Sequence, residues 1–258
     1  MKNLIYQVAV GPKKDLYEIC IDSVSKYCSK YGIEHIVQRE PVLKIVPKKS
    51  HRSSEAISRL GYLPIYEKEN AFDLLGSYDN ICIVDSDIYI KHNAPNIFDQ
   101  IEDYDFAGVL ERDMPLTKQY AEKIKNYSKA QYESLQKESV FNWNKLGADF
   151  YNMGLMLCSH KLKNYLDNQT ALEFIQRPEF ERFVNGEGQW RWSTDQTLLN
   201  YWIKKYNIRT KNLDWKWNAL YRGIKDEHLP EAHFVHFFLS VHIPKDRKIA
   251  DIIKDVCK

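Results

Sequence analysis

Three observations predict an α/β fold. The chain opens as strand, helix, strand; a buried-type apolar run, Ile81-Cys82-Ile83-Val84, passes at once into acidic residues; and further strand-like and helical segments follow without an internal repeat. The opening unit begins with residues 4–10, a β-rich run closed by Gly11 and Pro12. Residues 15–30 place Leu16, Ile19, Cys20, Val24 and Tyr27 at helical spacing, and Gly32 ends that helix. Residues 34–38 form the second strand, completing a βαβ unit.

The remaining elements follow in order. Residues 41–54 are basic and irregular. Residues 56–75 are helical in parts, with a break at Pro64. Residues 81–84 are a buried strand, and residues 105–110 another. Residues 115–137 are polar and, after Pro115, free of Gly and Pro, so one or two exposed helices are expected. Those residues, 115–137, read as a solvated connector or a helix that meets an acceptor or a membrane surface, and residues 111–147 as a whole read as a helical insertion, a candidate acceptor region. Residues 150–159 are apolar again, residues 162–175 and 194–206 are helical, and residues 234–239 form a late strand. No linker divides the chain, so residues 1–258 are expected to form a single domain.

Composition excludes several classes. The 258 residues carry 37 Lys+Arg against 35 Asp+Glu, a formal net charge of +2, which argues against a nucleic-acid partner. The five cysteines are odd in number and widely spaced, with no C-x-x-C, so buried or free thiols are expected rather than disulfides or a zinc site. The first apolar stretch is over by Gly11, too short for a secretory leader, and no run is long enough to span a bilayer. The expectation is a cytoplasmic protein. Composition is uneven in one respect. Five of six tryptophans (Trp190, Trp192, Trp202, Trp215, Trp217) and four of eight histidines (His228, His233, His236, His242) come late in the chain.

The candidate chemistry begins at Asp85-Ser86-Asp87. A second D-x-D, Asp103-Tyr104-Asp105, follows no buried strand. The first lies directly after residues 81–84, at the carboxyl end of a strand, where open α/β sheets bind ligands. Alternation puts Asp85 and Asp87 on one side of an extended backbone, and two carboxylates so placed can share a hard divalent cation. The plainer reading is a solvated pair at a strand end. Asn152 and Gly154 stand at the mouth of another apolar run. There an amide can hydrogen-bond a ligand and a glycine permits close backbone approach, or the Asn simply caps a turn. Ser193 is a plausible N-cap, so Asp195 sits in a first helical turn, a favourable position in its own right. A haloacid-dehalogenase-like phosphatase would carry its nucleophile on the first strand, and His228 to His233 misses a zinc-protease spacing and contains Pro230.

Four blocks in order carry a family resemblance. Tyr66-Glu67-Lys68 through Phe72-Asp73-Leu74-Leu75 leads to Ile81-Cys82-Ile83-Val84-Asp85-Ser86-Asp87; then come Tyr151-Asn152-Met153-Gly154-Leu155-Met156-Leu157, Ser193-Thr194-Asp195-Gln196-Thr197-Leu198-Leu199-Asn200, and Val235-His236-Phe237. Together they resemble the GT-A nucleotide-sugar glycosyltransferases, in particular the glycogenin-like and bacterial lipopolysaccharide galactosyltransferase-like group. The resemblance covers most of the chain. It implies a Rossmann-like mixed central sheet flanked by helices. It also implies Mn²⁺ or Mg²⁺ held by Asp85, Asp87 and His236, a donor sugar gripped by Asp195 and Gln196 with Lys68 nearby, and a nucleoside pocket at Val8, Ala9 and Tyr17. His236 on its own would read as a satisfied core residue. The family's glycine after its histidine is missing here, and His242 or Lys245 is left to contact the diphosphate. Trp190 and Trp192, just before Asp195, are placed to wall the sugar or acceptor pocket.

The function expected is metal-dependent transfer of a sugar from a nucleotide-diphosphate sugar, UDP-sugar first, to an acceptor hydroxyl of a glycan, with retention favoured over inversion because the resembling group retains. The alternative is a non-catalytic nucleotide-sugar or carbohydrate-binding module on the same fold. A sugar nucleotidyltransferase would carry a glycine-rich loop after the first strand, where Gly11-Pro12-Lys13-Lys14 offers one glycine.

Overall fold

The computed structural model describes residues 1–49, 55–238 and 247–256. In chain order the elements are β1 (Asn3–Val8), α1 (Asp15–Tyr31), β2 (Glu34–Gln38), α2 (Glu55–Leu60), a 3₁₀ helix (Pro64–Leu74), β3 (Asn80–Val84), β4 (Ile88–Ile90), β5 (Phe106–Leu110) and α3 (Lys118–Tyr132). There follow a short hairpin, β6 (Trp143–Asn144) with β7 (Gly147–Ala148), then β8 (Tyr151–Ser159), α4 (Ala171–Ile175), α5 (Glu181–Asn185), α6 (Asp195–Lys205), β9 (Thr210–Asn212), β10 (Ala219–Leu220), β11 (Phe234–His236) and α7 (Ile249–Val256).

The main sheet has the order β2-β1-β3-β8-β5-β9, and a smaller one the order β10-β11-β4. β1 is parallel to both β2 and β3, and β5 is parallel to β9; β8 alone runs antiparallel, between β3 and β5. This is the mixed α/β sheet flanked by helices that the sequence predicts. Every residue of β3, β5 and β8 is buried, which explains their continuous apolar runs. The chain leaves β1 for β2 on one side and returns to β3 on the other. That reversal of strand order puts a crevice at the carboxyl ends of β1 and β3.

Local chemistry accounts for most boundaries. α1 has Asp15 and Glu18 in its first turn and Lys30 in its last, and Gly32 closes it in the left-handed region at φ 65°. Pro64 starts a 3₁₀ helix rather than interrupting an α-helix. The helix expected over 162–175 divides into a 3₁₀ turn (His160–Tyr165) and α4, because Asp167 and Asn168 both adopt positive φ and Thr170 then caps a new start. For α6 the cap is Thr194, whose hydroxyl accepts from the amide of Gln196, and not Ser193, whose hydroxyl donates to the carbonyl of Phe183. α3 is not the solvated connector expected. Tyr120, Ile124, Ser128, Gln131 and Tyr132 are buried along one face, and Tyr132 stacks on Phe150 at 5.1 Å.

Four cysteines, Cys20, Cys28, Cys82 and Cys158, are free and buried, as the spacing suggested, and burial pushes the Cys28 thiol up to about 12. Trp202 packs in the core against Phe174, and Trp217 against Phe234. Among the described residues no helix is long and apolar enough to cross a membrane.

Asn200 on α6 fixes that helix to the mouth of β8. Its carbonyl oxygen accepts from the amide of Tyr151 at 2.7 Å, and its amide donates to the carbonyl of Tyr151 at 2.9 Å and of Gln196 at 2.8 Å. Asn200 and Tyr151 are buried, so Asn200→Ala strands the buried peptide N–H and C=O of Tyr151. The expected loss is about 2–4 kcal/mol in urea unfolding. A loss under about 0.5 kcal/mol would show that the clamp does not hold the helix.

Candidate functional site

The crevice brings together residues from five elements. β3 ends at Val84, and the turn after it carries Asp85 and Asp87; this turn is pinned by the amide of Asp85 donating to the carbonyl of Gly154 at 2.8 Å. β11 pairs antiparallel with β4, so that His236 lies opposite Ile88 and faces the turn. Its Nε2 stands 3.2 Å from Oδ1 of Asp87 and 3.8 Å from Oδ2 of Asp85. One ligand atom from each of Asp85, Asp87 and His236 lies within 4.8 Å of the others. Two carboxylates and an imidazole suit a divalent cation such as Mn²⁺ or Mg²⁺, and the donor set fits that group.

Burial disfavours the charged imidazole of His236, but the carboxylates of Asp87 and then Asp85 outweigh it and raise its pKa. Asp87 goes the other way. Burial opposes its ionisation, and the adjacent His236 more than compensates, holding the carboxyl below its ordinary range.

A directed chain of hydrogen bonds sets the His236 ring. Nδ1 of His236 lies 3.1 Å from Oδ1 of Asn218; the amide of Asn218 donates to Oδ1 of Asn152 at 2.9 Å; the amide of Asn152 donates to Glu111 at 2.9 Å, and the hydroxyl of Tyr120 donates to Glu111 at 2.5 Å. Each amide is oriented by its neighbour, so Nδ1 of His236 is the donor and Nε2 faces the carboxylates. Gly154 makes room for the ring. A β-carbon there would overlap Cε1 of His236 and stand 2.6 Å from Nδ1.

Lys68 connects the turn to α6. Its ammonium donates to Oδ1 of Asp85 at 2.9 Å and to the carbonyl of Met153 at 2.6 Å, and it lies 2.9 Å from Oδ2 of Asp195. Burial alone would favour loss of its proton; Asp195 and Asp85 outweigh that and keep it charged. Burial, more than Lys68 opposes it and with Asp85 adding to it, raises the Asp195 carboxyl. Gln196 accepts from the amide of Met153 at 3.2 Å.

Two cavities meet at this cluster, and Lys68, Asp85, Asp87 and Asp195 line both. One, of about 320 Å³, is bounded by Val8, Ala9 and Tyr17; the ammonium of Lys14 covers one face of the Tyr17 ring at 4.7 Å. The other, of about 350 Å³, is bounded by Glu111, Asn152, Gly154, Gln196 and residues of α3. The sequence reading did not single out Glu111, Tyr120 or Asn218. Glu111 follows a buried strand directly, as Asp85 does, and that was a signal for it. Trp190 and Trp192 line neither cavity. Trp190 packs on Phe183 and donates its indole N–H to the carbonyl of Gln131, tying the segment before α6 to α3, and Trp192 is exposed. His242 and Lys245 lie outside the described residues.

No family model matches this chain, and no curated protein matches it. Solved structures do match. A glycosyltransferase involved in the glycosylation of the major capsid of PBCV-1 superposes with a TM-score of 0.53 at 15% identity, over 99% of this chain and 98% of that one. The bifunctional glycosyltransferase WbbM gives 0.52 at 11% identity, over 92% of this chain and 46% of that one. An active-site mutant of LgtC gives 0.50 at 10% identity, over 98% and 94%. These are GT-A-type glycosyltransferases, and the chain shares their fold.

Two predictions follow from this geometry. Gly154→Ala should displace His236 and weaken Mn²⁺ binding tenfold or more by calorimetric titration, with the fold retained by circular dichroism; unaltered affinity would separate His236 from the cation. The second concerns Glu69, which is fully buried and whose carboxylate oxygens have no hydrogen-bond partner among the described residues. Burial and the like charge of Asp195 outweigh Lys68 and hold the Glu69 carboxyl well above its ordinary range. Near pH 4 both folded and unfolded chains are protonated here. As pH rises, the unfolded chain releases this proton while the folded chain keeps it, so stability is lost. Glu69→Gln should therefore raise the Tm at pH 8 and leave it unchanged at pH 4; an equal effect at both would refute a neutral Glu69.

Proposed function

We propose that this protein transfers a sugar from a nucleotide-diphosphate sugar, UDP-sugar first, to a hydroxyl of an acceptor glycan, with a divalent cation at Asp85, Asp87 and His236. The observation that carries the reading is the position of this cluster. It sits at the border of two cavities in the switch-point crevice of a glycosyltransferase fold, with a buried cation and convergent amides beside it. The family resemblance of the four sequence blocks supports it. The chain is read as one catalytic unit, residues 1–258, whose segment 111–147 bears on the acceptor.

In this reading the cavity at Val8, Ala9 and Tyr17 receives the nucleoside, and the cavity at Asn152 and Gln196 receives the sugar. Asp85, Asp87 and His236 would hold Mn²⁺ or Mg²⁺, which would supply Lewis-acid stabilisation of charge on the departing diphosphate. Lys68, held protonated at the shared border, adds a fixed positive charge at the same place. Asn152 and Gln196 orient sugar hydroxyls, and Asp195 positions Lys68. Glu111 holds the Asn152–Asn218 chain and thereby the tautomer of His236. Retention of anomeric configuration is the favoured course, and product NMR distinguishes it from inversion.

Release of nucleoside diphosphate from the donor should require Mn²⁺ or Mg²⁺ and fall at least a hundredfold in Asp87→Ala, with the fold preserved. Cation affinity should strengthen as pH rises through the elevated His236 pKa, since binding at Nε2 releases a proton. Cation-independent turnover, or an Asp87→Ala variant as fast as wild type, would overturn the metal assignment. Metal-independent sugar binding with no turnover would instead identify a binding module.

A further inference from the structure

A second groove opens beside the sugar cavity. It runs between the start of α3 and the loop after β10, with a volume of about 840 Å³. Its charge is one-sided: Lys118, Lys123, Arg222 and Lys225 line it, against Asp226 alone. All four cations are exposed. Arg222 meets Asp226 at 3.6 Å and Lys225 meets Glu227 at 4.0 Å, both pairs solvent-exposed and so weakly held. Lys118 has no carboxylate within ion-pair distance among the described residues, and Lys123 contacts the Tyr120 ring at 5.7 Å. The groove therefore presents more positive charge than its own surface neutralises, in a chain whose net charge is only +2.

The walls are built, not loose. Leu116 bridges Ile224 in antiparallel fashion, the amide of Thr117 donates to the carbonyl of Gly223 at 3.0 Å, and the amide of Lys225 donates to the carbonyl of Pro115 at 3.0 Å. Arg222 is held at φ 63°, a conformation uncommon for a side-chain-bearing residue. The preceding amide, of Tyr221, donates to the carbonyl of His236 at 2.9 Å, which anchors this wall to the strand of the cation cluster. The groove also communicates with the sugar cavity. Tyr120 and Lys123 line both, and the hydroxyl of Tyr120 reaches Glu111 inside that cavity. Lys118 lies five residues before Lys123, about 7.5 Å further from the cavity along the helix.

We propose that this groove receives an anionic group, a phosphate or a carboxylate, carried by the acceptor saccharide, and that its four cations select charged acceptors over neutral ones. This rests on the transfer reading above and deepens it. Ammonium and guanidinium donors suit both anions, and a concave site continuous with the sugar cavity suits a saccharide better than a flat lipid surface.

The test is equilibrium binding by calorimetry to the intact protein in the presence of a chelator, with glucose, glucose 6-phosphate and glucuronate as probes. At least one anionic sugar should bind tenfold or more tightly than glucose. The preference should shrink with added salt and disappear in Lys118→Ala/Lys225→Ala, whose substituted side chains are exposed and whose Tm should be unchanged. Equal binding of all three sugars, or a preference that survives in the variant, would overturn the proposal. Vesicles of phosphatidylglycerol and phosphatidylcholine form a further arm. Groove-dependent binding to the anionic vesicles with no saccharide preference would assign the groove to a membrane surface and overturn it as well. Donor hydrolysis is followed separately: a charged-sugar preference without turnover counts against the transfer reading and keeps the anion site, and turnover without the preference does the reverse.

Discussion

Lys68 carries an ammonium that is largely screened from water at the border of two cavities, and the site is organised around keeping it charged. It meets Asp85 after β3, the carbonyl of Met153 on β8, and Asp195 in the first turn of α6. Each contact restrains a different element, so one cation sets the relative positions of three pieces distant in sequence. Removing a single member leaves its partners charged and unpaired, most severely for Asp195, which is buried, and less so for Asp85, which faces the cavities. Its neighbour Glu69 shows the other outcome of burial: its carboxylate oxygens have no hydrogen-bond partner among the described residues, and burial holds this carboxyl well above its ordinary range.

A second restraint acts on His236 from the opposite side. Glu111 accepts from Tyr120 and Asn152, Asn152 accepts from Asn218, and Asn218 accepts from the ring. The polarity runs one way because the terminal carboxylate can only accept while it is ionised. Glu111 directly after β5, Asn152 on β8, Asn218 just before β10 and His236 on β11 thus contribute one side chain each to a single orientation. Together the two restraints fix a cation-ready arrangement before any ligand arrives, which is the condition under which electrostatic stabilisation costs no reorganisation.

Much of this was legible in the sequence, and the gaps have physical causes. β3 and β8 could be read because burial on both faces forces continuous apolar runs, and Asp85 could be read because an acidic residue directly after such a run is conspicuous. β4, β9 and β10 could not. They are two or three residues long, and their hydrogen bonds come from partners distant in sequence, so no local period marks them. The inner face of α3 was hidden because tyrosines, a serine and a glutamine make up most of it, with Ile124 the aliphatic member. Asn218 and Tyr120 had no motif, since their roles exist only through side chains brought together by folding. Trp190 was misleading for a related reason: adjacency to Asp195 in the chain did not mean adjacency in space, as a 3₁₀ turn (Gly188–Trp192) directs it toward Phe183.

The antiparallel strand of the main sheet has a consequence for how such a site can change. Because β8 runs against β3, with Val84 paired to Leu155, the end of one strand meets the beginning of the other, and Asp85 and Gly154 are neighbours although dozens of residues separate them. The chain between them leaves the cluster and returns to it, closing a loop whose two ends are fastened together by the sheet. Most of that excursion is itself committed to the cluster, since it carries Asp87, β4, Glu111 and Asn152. It also carries α3, whose Tyr120 is tied to Glu111 while Lys118 and Lys123 stand exposed, so the outward face of that helix is where the excursion can be rewritten while its anchor points stay put.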